Sequence, residues 1–232
     1  MAKKEQVKLT SIISITQPKS KIAEQFRMIR TNIKFSMHDE RLKTLMITST
    51  TPQEGKTTIS INIAAVMADE GKKVLLVDAD MRRPQVAAAL HLPQAKGLST
   101  LIADSTTLVT DVIQEVKEVA LDVITSGPIP PNPSELLGTQ RMSAIIKELE
   151  ATYDLIIFDV PPMLSVTDAQ VMANKVGGVI MVIRHNVAYT ADVIQAKHLL
   201  DLVNANVVGA IYNGAESNTG ERSYYYEYKA DE

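Results

Sequence analysis

The chain has 232 residues, of which 45% are hydrophobic, with no cysteine and a formal net charge of −3. This length and hydrophobic content suit one folded α/β domain or two small ones. The acidic balance argues against nucleic acid as a partner, and the lack of cysteine excludes disulfides, thiolate nucleophiles and cysteine-ligated metals.

The N-terminal region does not have the pattern of an export signal. Residues 1–8 are charged, and no uninterrupted apolar stretch follows them as a signal peptide would require. The longest apolar run, at residues 176–183, is far shorter than the roughly 20 residues that span a bilayer. We therefore expect a cytoplasmic protein that reaches a membrane only through a partner.

A helix is predicted before the first strand. Within residues 20–37, Ile22, Phe26, Ile29 and Ile33 recur at helical spacing and form one narrow apolar stripe. The spacing therefore predicts a helix with one apolar face.

The rest of the chain alternates between short apolar strands and helices. Strands rich in Val, Ile and Leu are predicted at 44–49, 74–78, 155–159 and 178–183, with further candidates at 121–125 and 207–212. Helices are predicted at 57–70, 134–151 and 190–203. This alternation is typical of a doubly wound, mainly parallel α/β sheet, here a single domain over residues 1–212.

Two segments are predicted to be irregular. Residues 127–133 contain four prolines and read as a loop, with Ser134 as the N-cap of the next helix. Residues 213–232 lose apolar periodicity and are expected to form a flexible tail.

The first predicted strand runs into a candidate phosphate-binding loop. Residues 50–58 match G-x-x-x-x-G-K-[ST], except that Thr50 replaces the first glycine. Such a loop brings its backbone close to phosphates at Gly55, a positive charge at Lys56 and a hydroxyl for Mg²⁺ at Thr57. A chance tetrapeptide at a helix start is the alternative, but the strand before the loop and the helix after it favour phosphate binding. The predicted nucleotide contacts are Pro52, Gln53, Glu54, Gly55, Lys56, Thr57 and Thr58.

Carboxylates end two of the predicted strands. Asp78 and Asp80 follow one strand, and Asp159 ends another. Ligands in open α/β sheets bind beyond the carboxyl ends of the strands, so we expect all three beside the phosphate loop. Aspartates also begin turns for purely structural reasons. Three converging carboxylates would repel one another, however, and a divalent cation would remove that repulsion.

These pieces together resemble the bacterial tyrosine kinases of capsule and exopolysaccharide systems. The resemblance covers nearly the whole chain and rests on five segments: the loop at 55–58, the acidic strand ends at 75–82 and 156–162, the helix segment at 24–30 and a C-terminal tyrosine cluster. Relatives often carry glycine where this chain has Gln53. The fold implied is the P-loop fold of the partition and septum-positioning ATPases, but those carry a lysine where this chain has Thr51.

The resemblance implies ATP and Mg²⁺ as cofactors and assigns metal and phosphate ligands. Lys56 would hold the β and γ phosphates. Thr57 and Asp159 would bind Mg²⁺ directly, and Asp80 would support the metal through water.

It also implies the residues around the reacting groups. Asp78 would orient the acceptor hydroxyl and take its proton late in the transfer, because an ordinary aspartate is a poor base for a phenol. Arg82 would steady the γ phosphate, and Asn213 would touch the adenine.

The C-terminal tyrosines support a tyrosine kinase. Four of the seven tyrosines, Tyr224, Tyr225, Tyr226 and Tyr228, fall within the last nine residues. Aromatic residues often bury against a core, but consecutive ones in a polar tail cannot all face the same core. We expect them to be autophosphorylation sites, modified by a neighbouring subunit.

Glu24, Arg27 and Arg30 are spaced three apart on the first helix, away from its apolar stripe. A solvated face with one internal ion pair is the simple interpretation. The resemblance instead implies an oligomer contact, with a ring of subunits as the assembly.

The resemblance further implies several partners. They are a transmembrane activator with a cytoplasmic tail, protein substrates of polysaccharide synthesis and a cognate phosphotyrosine phosphatase. The enzyme would then lie at the inner face of the plasma membrane. A nucleotide-dependent switch or regulatory subunit that passes phosphate only to water remains the alternative function.

Overall fold

The computed structural model describes residues 11–36 and 42–215. The strands in these ranges are β1 (Thr44–Ser49), β2 (Val74–Asp78), β3 (Ile113–Val116), β4 (Leu121–Ile124), β5 (Leu155–Asp159), β6 (Gly178–Arg184) and β7 (Val207–Asn213). The helices are α1 (Ile13–Thr16), α2 (Lys21–Ser36), α3 (Lys56–Ala68), α4 (Val86–Leu90), α5 (Leu98–Ala103), α6 (Pro133–Gly138), α7 (Gln140–Glu150), α8 (Asp168–Ala173) and α9 (Thr190–Leu202). The four C-terminal tyrosines lie outside the described residues.

The seven strands form one sheet in the order β3-β4-β2-β5-β1-β6-β7. All neighbouring strands are parallel except β3, which pairs antiparallel with β4 at one edge. The predicted doubly wound α/β fold is confirmed. The edge strand β3 was not predicted, because its four residues include Gln114 and Glu115 and show no apolar run.

Both faces of the sheet are covered. Successive strand residues point to opposite faces, so Leu45 and Ile47 join the core under α2 and α3, while Met46 joins the core under α7 and α8. The four strands β1, β2, β4 and β5 are almost wholly buried. Continuous apolar sequence, rather than alternation, is what such two-sided burial requires.

Helix α3 is the most deeply packed helix near the predicted loop. All of its residues from position 59 to position 68 are buried. It begins at Lys56, directly after the loop that leaves β1. The burial of its body fixes the helix N-terminus, and therefore its free N–H groups, at the carboxyl edge of the sheet.

The helix predicted at 134–151 is divided in two at Thr139. Thr139 has extended backbone, and its hydroxyl accepts a hydrogen bond from the Met142 N–H at 3.2 Å, which makes it the N-cap of α7. The prediction that Ser134 is the N-cap of this helix is wrong. The N-cap position of α6 is Asn132, and Pro133 occupies the first helical position, where its missing N–H does no harm.

The predicted apolar stripe of α2 is only partly buried. Phe26 and Ile33 are buried and Ile29 is partly buried, but Ile22 is 47% exposed and Ala23 is buried in its place. The small side chain of Ala23 lets α2 lie close to its neighbours at this end. No helix in the described ranges, including the 16-residue α2, is long and apolar enough to cross a membrane.

The cap at Thr139 can be tested by its contribution to stability. Thr139→Ala should lower the free energy of unfolding by about 1 kcal/mol, because α7 loses its N-cap acceptor. Thr139→Ser keeps the hydroxyl and should stay close to the wild type. Urea denaturation of the three proteins measures the difference, and equal stability of all three would contradict the assigned cap.

Candidate active site

The ends of three adjacent strands meet at one edge of the sheet. β5 lies between β1 and β2, and Asp78 and Asp159 are register partners on β2 and β5. The Ala79 N–H donates to the Asp159 carbonyl at 2.8 Å, so the pairing continues one residue beyond the strand. The structure therefore brings the predicted acidic strand ends together beside the loop that follows β1.

Backbone geometry sets the shape of the loop between β1 and α3. Gly55 has φ of +89°, and a Cβ atom placed on it would lie 2.5 Å from Asn213 Nδ2. Both facts require glycine at this position. Gln53 also has positive φ, +67°, a conformation that glycine adopts more readily than glutamine. The loop accordingly takes a glycine-like turn at a position where this chain has a side chain.

Glu54 organises this loop from the inside. Its side chain is 1% exposed. Oε1 accepts hydrogen bonds from the Thr51 N–H at 2.6 Å and the Thr51 hydroxyl at 2.8 Å, and also from the hydroxyl of Thr50. Oε2 accepts from the Arg184 N–H at 3.0 Å. Glu54 was predicted among the nucleotide contacts, but its side chain faces into the protein and ties the loop to β6.

The Thr50 hydroxyl also explains the departure from the phosphate-loop pattern. A glycine at this position would have no side-chain hydroxyl to donate to Glu54. Thr50 is fully buried and its hydroxyl has the Glu54 carboxylate as partner. The loop is thus stabilised by side-chain hydrogen bonds at the position where the general pattern has a flexible residue.

Lys56 is the cation around which the carboxylates gather. Its Nζ lies 2.8 Å from Asp80 Oδ2 and 3.5 Å from Asp159 Oδ2, and its side chain is 11% exposed. Burial alone would lower the pKa of Lys56, but the charges of Asp159 and Asp80 outweigh it and raise the pKa above its usual value. Lys56 is therefore charged throughout the neutral range.

The pKa values of Asp78 and Asp159 are raised as well, but for a carboxylate a raised pKa favours the neutral form. Burial, reinforced by the charge of Asp159, raises the pKa of Asp78 to about 8. Burial likewise raises the pKa of Asp159, although Lys56 and the hydroxyls of Thr57 and Ser60 oppose the shift. The raised pKa values mean that burial disfavours the ionised carboxylates when Lys56 is their neighbouring cation, and a bound divalent cation would favour their ionised form.

The residues predicted to hold Mg²⁺ fit that ion. The Thr57 hydroxyl donates to Asp159 Oδ2 at 2.6 Å, and Ser60 holds the other oxygen at 3.0 Å. A loop hydroxyl and a strand-end carboxylate are the ligands that P-loop enzymes use for Mg²⁺. Across the described ranges no three His, Cys, Asp or Glu side chains are grouped to hold a metal by themselves. Magnesium here would take its remaining ligands from phosphate oxygens and water, as it usually does.

Asp78 and Asp80 have different positions in the site. Both oxygens of Asp78 accept backbone hydrogen bonds, from Asp80 N–H at 3.2 Å and Val86 N–H at 3.1 Å, and the residue is fully buried. Asp80 lines the cavity described below, and its Oδ1 accepts from the Arg83 N–H at 3.0 Å. Asp78 thus shapes the segment that carries Asp80 and Arg82.

A cavity of about 550 Å³ opens over these groups. Its lining includes six of the predicted nucleotide contacts together with Asp80 and Arg82. Several other lining residues were not predicted as site residues: Arg83, Gln85, Pro161, Pro162, Ser165 and Val166. Pro161 and Pro162 belong to the predicted segment at 156–162, whereas the other four lie outside the predicted segments and only the fold brings them to the loop.

Arg82 is held by residues that the sequence did not connect with it. Its Nε and Nη2 donate to the two oxygens of Asp168, each at 3.0 Å, and Nη2 also contacts Ser134 Oγ at 3.2 Å. The hydrogen bond to Asp168 raises the pKa of Arg82. Arg82 is 86 residues away from Asp168 in the sequence, so no local pattern predicts the pair.

Asn213 ends β7 beside the phosphate loop. Its side-chain amide donates to the Glu54 carbonyl at 2.8 Å and lies against Gly55. Asn213 was expected to touch adenine. Its position at the loop is compatible with that role, and its amide in addition holds the loop in place.

The predicted oligomer face on α2 is divided. Arg27 Nη1 lies 2.7 Å from Glu24 Oε2, the internal ion pair that the helical spacing allows. Arg30 instead turns toward α3, where it contacts Glu70 Oε1 at 3.0 Å and donates to the Val66 carbonyl at 3.0 Å. Glu24 and Arg27 therefore remain accessible, whereas Arg30 is largely engaged within its own chain.

Comparison with known proteins gives consistent matches. The model of the family described as an AAA domain matches residues 42–205. Tyrosine-protein kinase YwqD of Bacillus subtilis (strain 168) is 43% identical over 216 residues, which cover 93% of this chain and 91% of that protein. The solved kinase domain of Escherichia coli tyrosine kinase ETK is 36% identical, with a TM-score of 0.86 over 92% of this chain and 84% of that one. The chimerical protein CapA2B2 is 38% identical, with a TM-score of 0.82 over 87% and 88%.

The role of Glu54 can be tested without touching the phosphate-binding groups. Glu54→Gln replaces one acceptor oxygen by a buried NH₂ group that faces other donors, so the free energy of unfolding should fall by about 2 kcal/mol. ATP affinity should fall with it, because the loop loses its internal support. Thermal denaturation and nucleotide titration measure both effects.

Glu118→Gln is the matched control for this substitution. Glu118 is exposed and has no hydrogen-bond or ion-pair partner among the described residues. Its substitution removes the same charge and should leave stability and ATP affinity unchanged. Equal behaviour of the two variants would contradict the structural role of Glu54.

Proposed function

Since the chain belongs to the bacterial tyrosine-protein kinases, we propose that it transfers the γ-phosphoryl group of ATP to protein tyrosines, including those of its own C-terminal cluster. The observation that carries the proposal is the grouping of Lys56, Thr57 and Asp80 in the lining of one cavity, with the buried Asp159 in contact with Lys56 and Thr57. Such a site positions phosphates and neutralises their charge, which is most of what phosphoryl transfer requires.

Lys56 and Thr57 are the phosphate and metal ligands in this proposal. Lys56 would exchange its contact with Asp80 for the β and γ phosphates, while the N-terminus of α3 directs free N–H groups at them. Thr57 and Asp159 would hold Mg²⁺, with Asp80 supporting it through water. When bound, Mg²⁺ supplies positive charge that offsets the charge of the phosphates.

Asp78 keeps the proposed role of orienting the phenol and accepting its proton late. Because Asp78 is fully buried, the segment from Asp80 to Val86 would have to move before a substrate hydroxyl could reach its carboxylate. Arg82 would contact the γ phosphate from the cavity wall, and Asn213 would contribute to the adenine site next to the loop.

The biological setting is proposed from the family resemblance. The kinase would regulate capsule or exopolysaccharide synthesis, acting on protein substrates of that process and opposed by a phosphotyrosine phosphatase. A transmembrane activator with a cytoplasmic tail would recruit it to the inner face of the plasma membrane. The solved relative CapA2B2 is a chimerical protein, which supports a search for a partner segment.

Replacing Lys56 tests the phosphate-loop assignment. Lys56→Met should lower the transfer rate by at least about 100-fold, roughly 3 kcal/mol of activation free energy. The reason is that the γ phosphate loses the positive charge that the Lys56 ammonium group provides. Phosphotyrosine formation with ATP and Mg²⁺ measures the rate, and circular dichroism checks that the variant is folded.

Lys72→Met is the control, since Lys72 is exposed in the turn after α3. It should label at the wild-type rate. Near-normal labelling by the Lys56 variant would remove the assignment, and ATP hydrolysis without any phosphotyrosine in the wild type would favour a nucleotide-dependent switch instead.

Transfer between subunits is proposed because Tyr224, the first tyrosine of the cluster, follows the last residue of β7, Asn213, by only 11 residues. Within a ring, contacts through Glu24, Arg27 and Arg30 would present one subunit's tail to the next subunit's cavity. Phosphorylation adds about −1.5 to −2 charges at each tyrosine, so a modified tail should be repelled from an acidic site.

Mixing two complementary variants tests this arrangement. One chain carries Lys56→Met with an intact tail, and the other is active but has Tyr224, Tyr225, Tyr226 and Tyr228 changed to Phe. The inactive chain should become labelled in the mixture and stay unlabelled alone. If it is not labelled, transfer between subunits is excluded. A fully phosphorylated wild type that keeps the size of the unmodified assembly would exclude release by charge repulsion.

A further inference from the structure

Arg82 is attached to the wall of the cavity by a buried carboxylate. Asp168, the first residue of α8, is fully buried, whereas Arg82 is 40% exposed and lines the cavity. A buried carboxylate is retained only where a cation or several donors satisfy it. Arg82 satisfies both oxygens of Asp168 at once, in the two-pronged geometry that a guanidinium group forms with a carboxylate.

Ser134, the second residue of α6, completes the arrangement. Its hydroxyl donates to Asp168 Oδ1 and accepts from Arg82 Nη2 at 3.2 Å and from the Thr167 hydroxyl at 3.1 Å. Ser134 thus contacts both members of the ion pair. Rotation of the guanidinium group would break hydrogen bonds on two helices, α6 and α8.

The hydrogen-bond inventory of Arg82 shows which edge stays available. A guanidinium group has five N–H donors. The Nε donor and the two Nη2 donors have partners in Asp168 and Ser134. Among the described residues, nothing accepts from Nη1. The Nη1 pair can therefore bind an anion without disturbing the contacts that hold the side chain.

The backbone that carries Arg82 is also fixed from the phosphate-binding side. Asp78 accepts from the N–H groups of Asp80 and Val86, on either side of Arg82. Asp80 contacts Lys56 at 2.8 Å. Arg82 is therefore held at its backbone by the phosphate site and at its side chain by α6 and α8.

We propose that Asp168 and Ser134 are positioning residues, which hold the Arg82 guanidinium with its Nη1 donors free for the phosphoryl group in transfer. The inference deepens the proposed function and rests on it. A fixed arginine stabilises developing negative charge without reorganising during the reaction, and such preorganised donors act mainly on kcat. If the ion pair between Asp168 on α8 and Arg82 in the segment after β2 were purely structural, its loss would lower stability and leave kcat unchanged.

A double-mutant cycle tests the proposal in the full-length chain. Arg82→Gln should lower kcat by about 100-fold, with the KM for ATP within about threefold of wild type. Asp168→Asn keeps the size of the side chain but weakens the pairing, and should lower kcat by about tenfold. In the Arg82→Gln background the same change should alter kcat by less than about twofold, because Asp168 acts only through Arg82.

Arg83→Gln supplies the matched control cycle. Arg83 is the next residue, is exposed and lines the same cavity, but it has no side-chain partner among the described residues. The Arg83→Gln substitution removes one positive charge, as Arg82→Gln does, but leaves the ion pair between Arg82 and Asp168 intact. The effects of Arg83→Gln and Asp168→Asn on kcat should therefore add.

Ser134→Ala keeps the test decisive if Asp168→Asn does not fold. It should lower kcat by about threefold in the wild type and have no effect beside Arg82→Gln, whereas Ser134→Thr, which keeps a hydroxyl, should restore most of the rate. Melting temperatures of all variants show whether stability changes separately from kcat.

Additive effects of Arg82→Gln and Asp168→Asn on kcat, or an Arg82→Gln variant with normal kcat, would overturn the proposal. Unchanged kcat with a lowered melting temperature in the Asp168 and Ser134 variants would assign them to structure alone. Each rate is measured both as tyrosine labelling and as ATP hydrolysis. A wild type that hydrolyses ATP without labelling tyrosine would refute the proposed kinase function. The rates of ATP hydrolysis in the double-mutant cycle would still test whether Asp168 and Ser134 position Arg82.

Discussion

The crowding of three carboxylates around one buried ammonium group is the constraint on which the rest of the site depends. Asp78, Asp80 and Asp159 lie at adjacent strand ends, and Lys56 contacts two of them. Taken alone, buried like charges would oppose folding. The site tolerates them because backbone N–H groups, the hydroxyls of Thr57 and Ser60, and Lys56 each satisfy part of their hydrogen-bonding capacity.

That constraint also accounts for how the site is supported. The phosphate loop and Arg82 hold their positions because hydrogen bonds connect them to other elements of the fold. Glu54 joins the loop to β6, and Asp168 joins Arg82 to α8. The supporting carboxylates of Glu54 and Asp168 are thus more deeply buried than Lys56 and Arg82, which would touch a phosphate in the proposed mechanism. A site that must place charges accurately needs supporting residues of this kind.

The arrangement favours phosphoryl transfer over other chemistry. The described site has no thiol and offers no group of side chains that could hold a metal alone. It has instead a helix N-terminus, a lysine, an arginine whose Nη1 donors have no partner among the described residues, and carboxylates that are proposed to support a magnesium ion bound together with phosphate. These groups act by position and charge, which is what transfer from ATP requires.

The sequence by itself determined the fold class, the phosphate loop and the acidic strand ends, because each depends on residues close together in the chain. The strands at 44–49, 74–78 and 155–159 were correct to the residue. Local patterns also failed in informative places. A helix was expected to continue through Thr139, and the predicted apolar stripe includes Ile22, which is exposed, because helical periodicity does not show where tertiary contacts end or turn a helix.

Only the tertiary structure decided the contacts between distant residues. Asp168 and Ser134 lie 86 and 52 residues away from Arg82, and Arg184 lies 130 residues away from Glu54. No spacing rule connects such positions, because their proximity follows from the order in which the strands assemble. The sequence therefore predicted the groups that are proposed to bind ATP, while the packing of the sheet and helices determined which residues hold those groups in place.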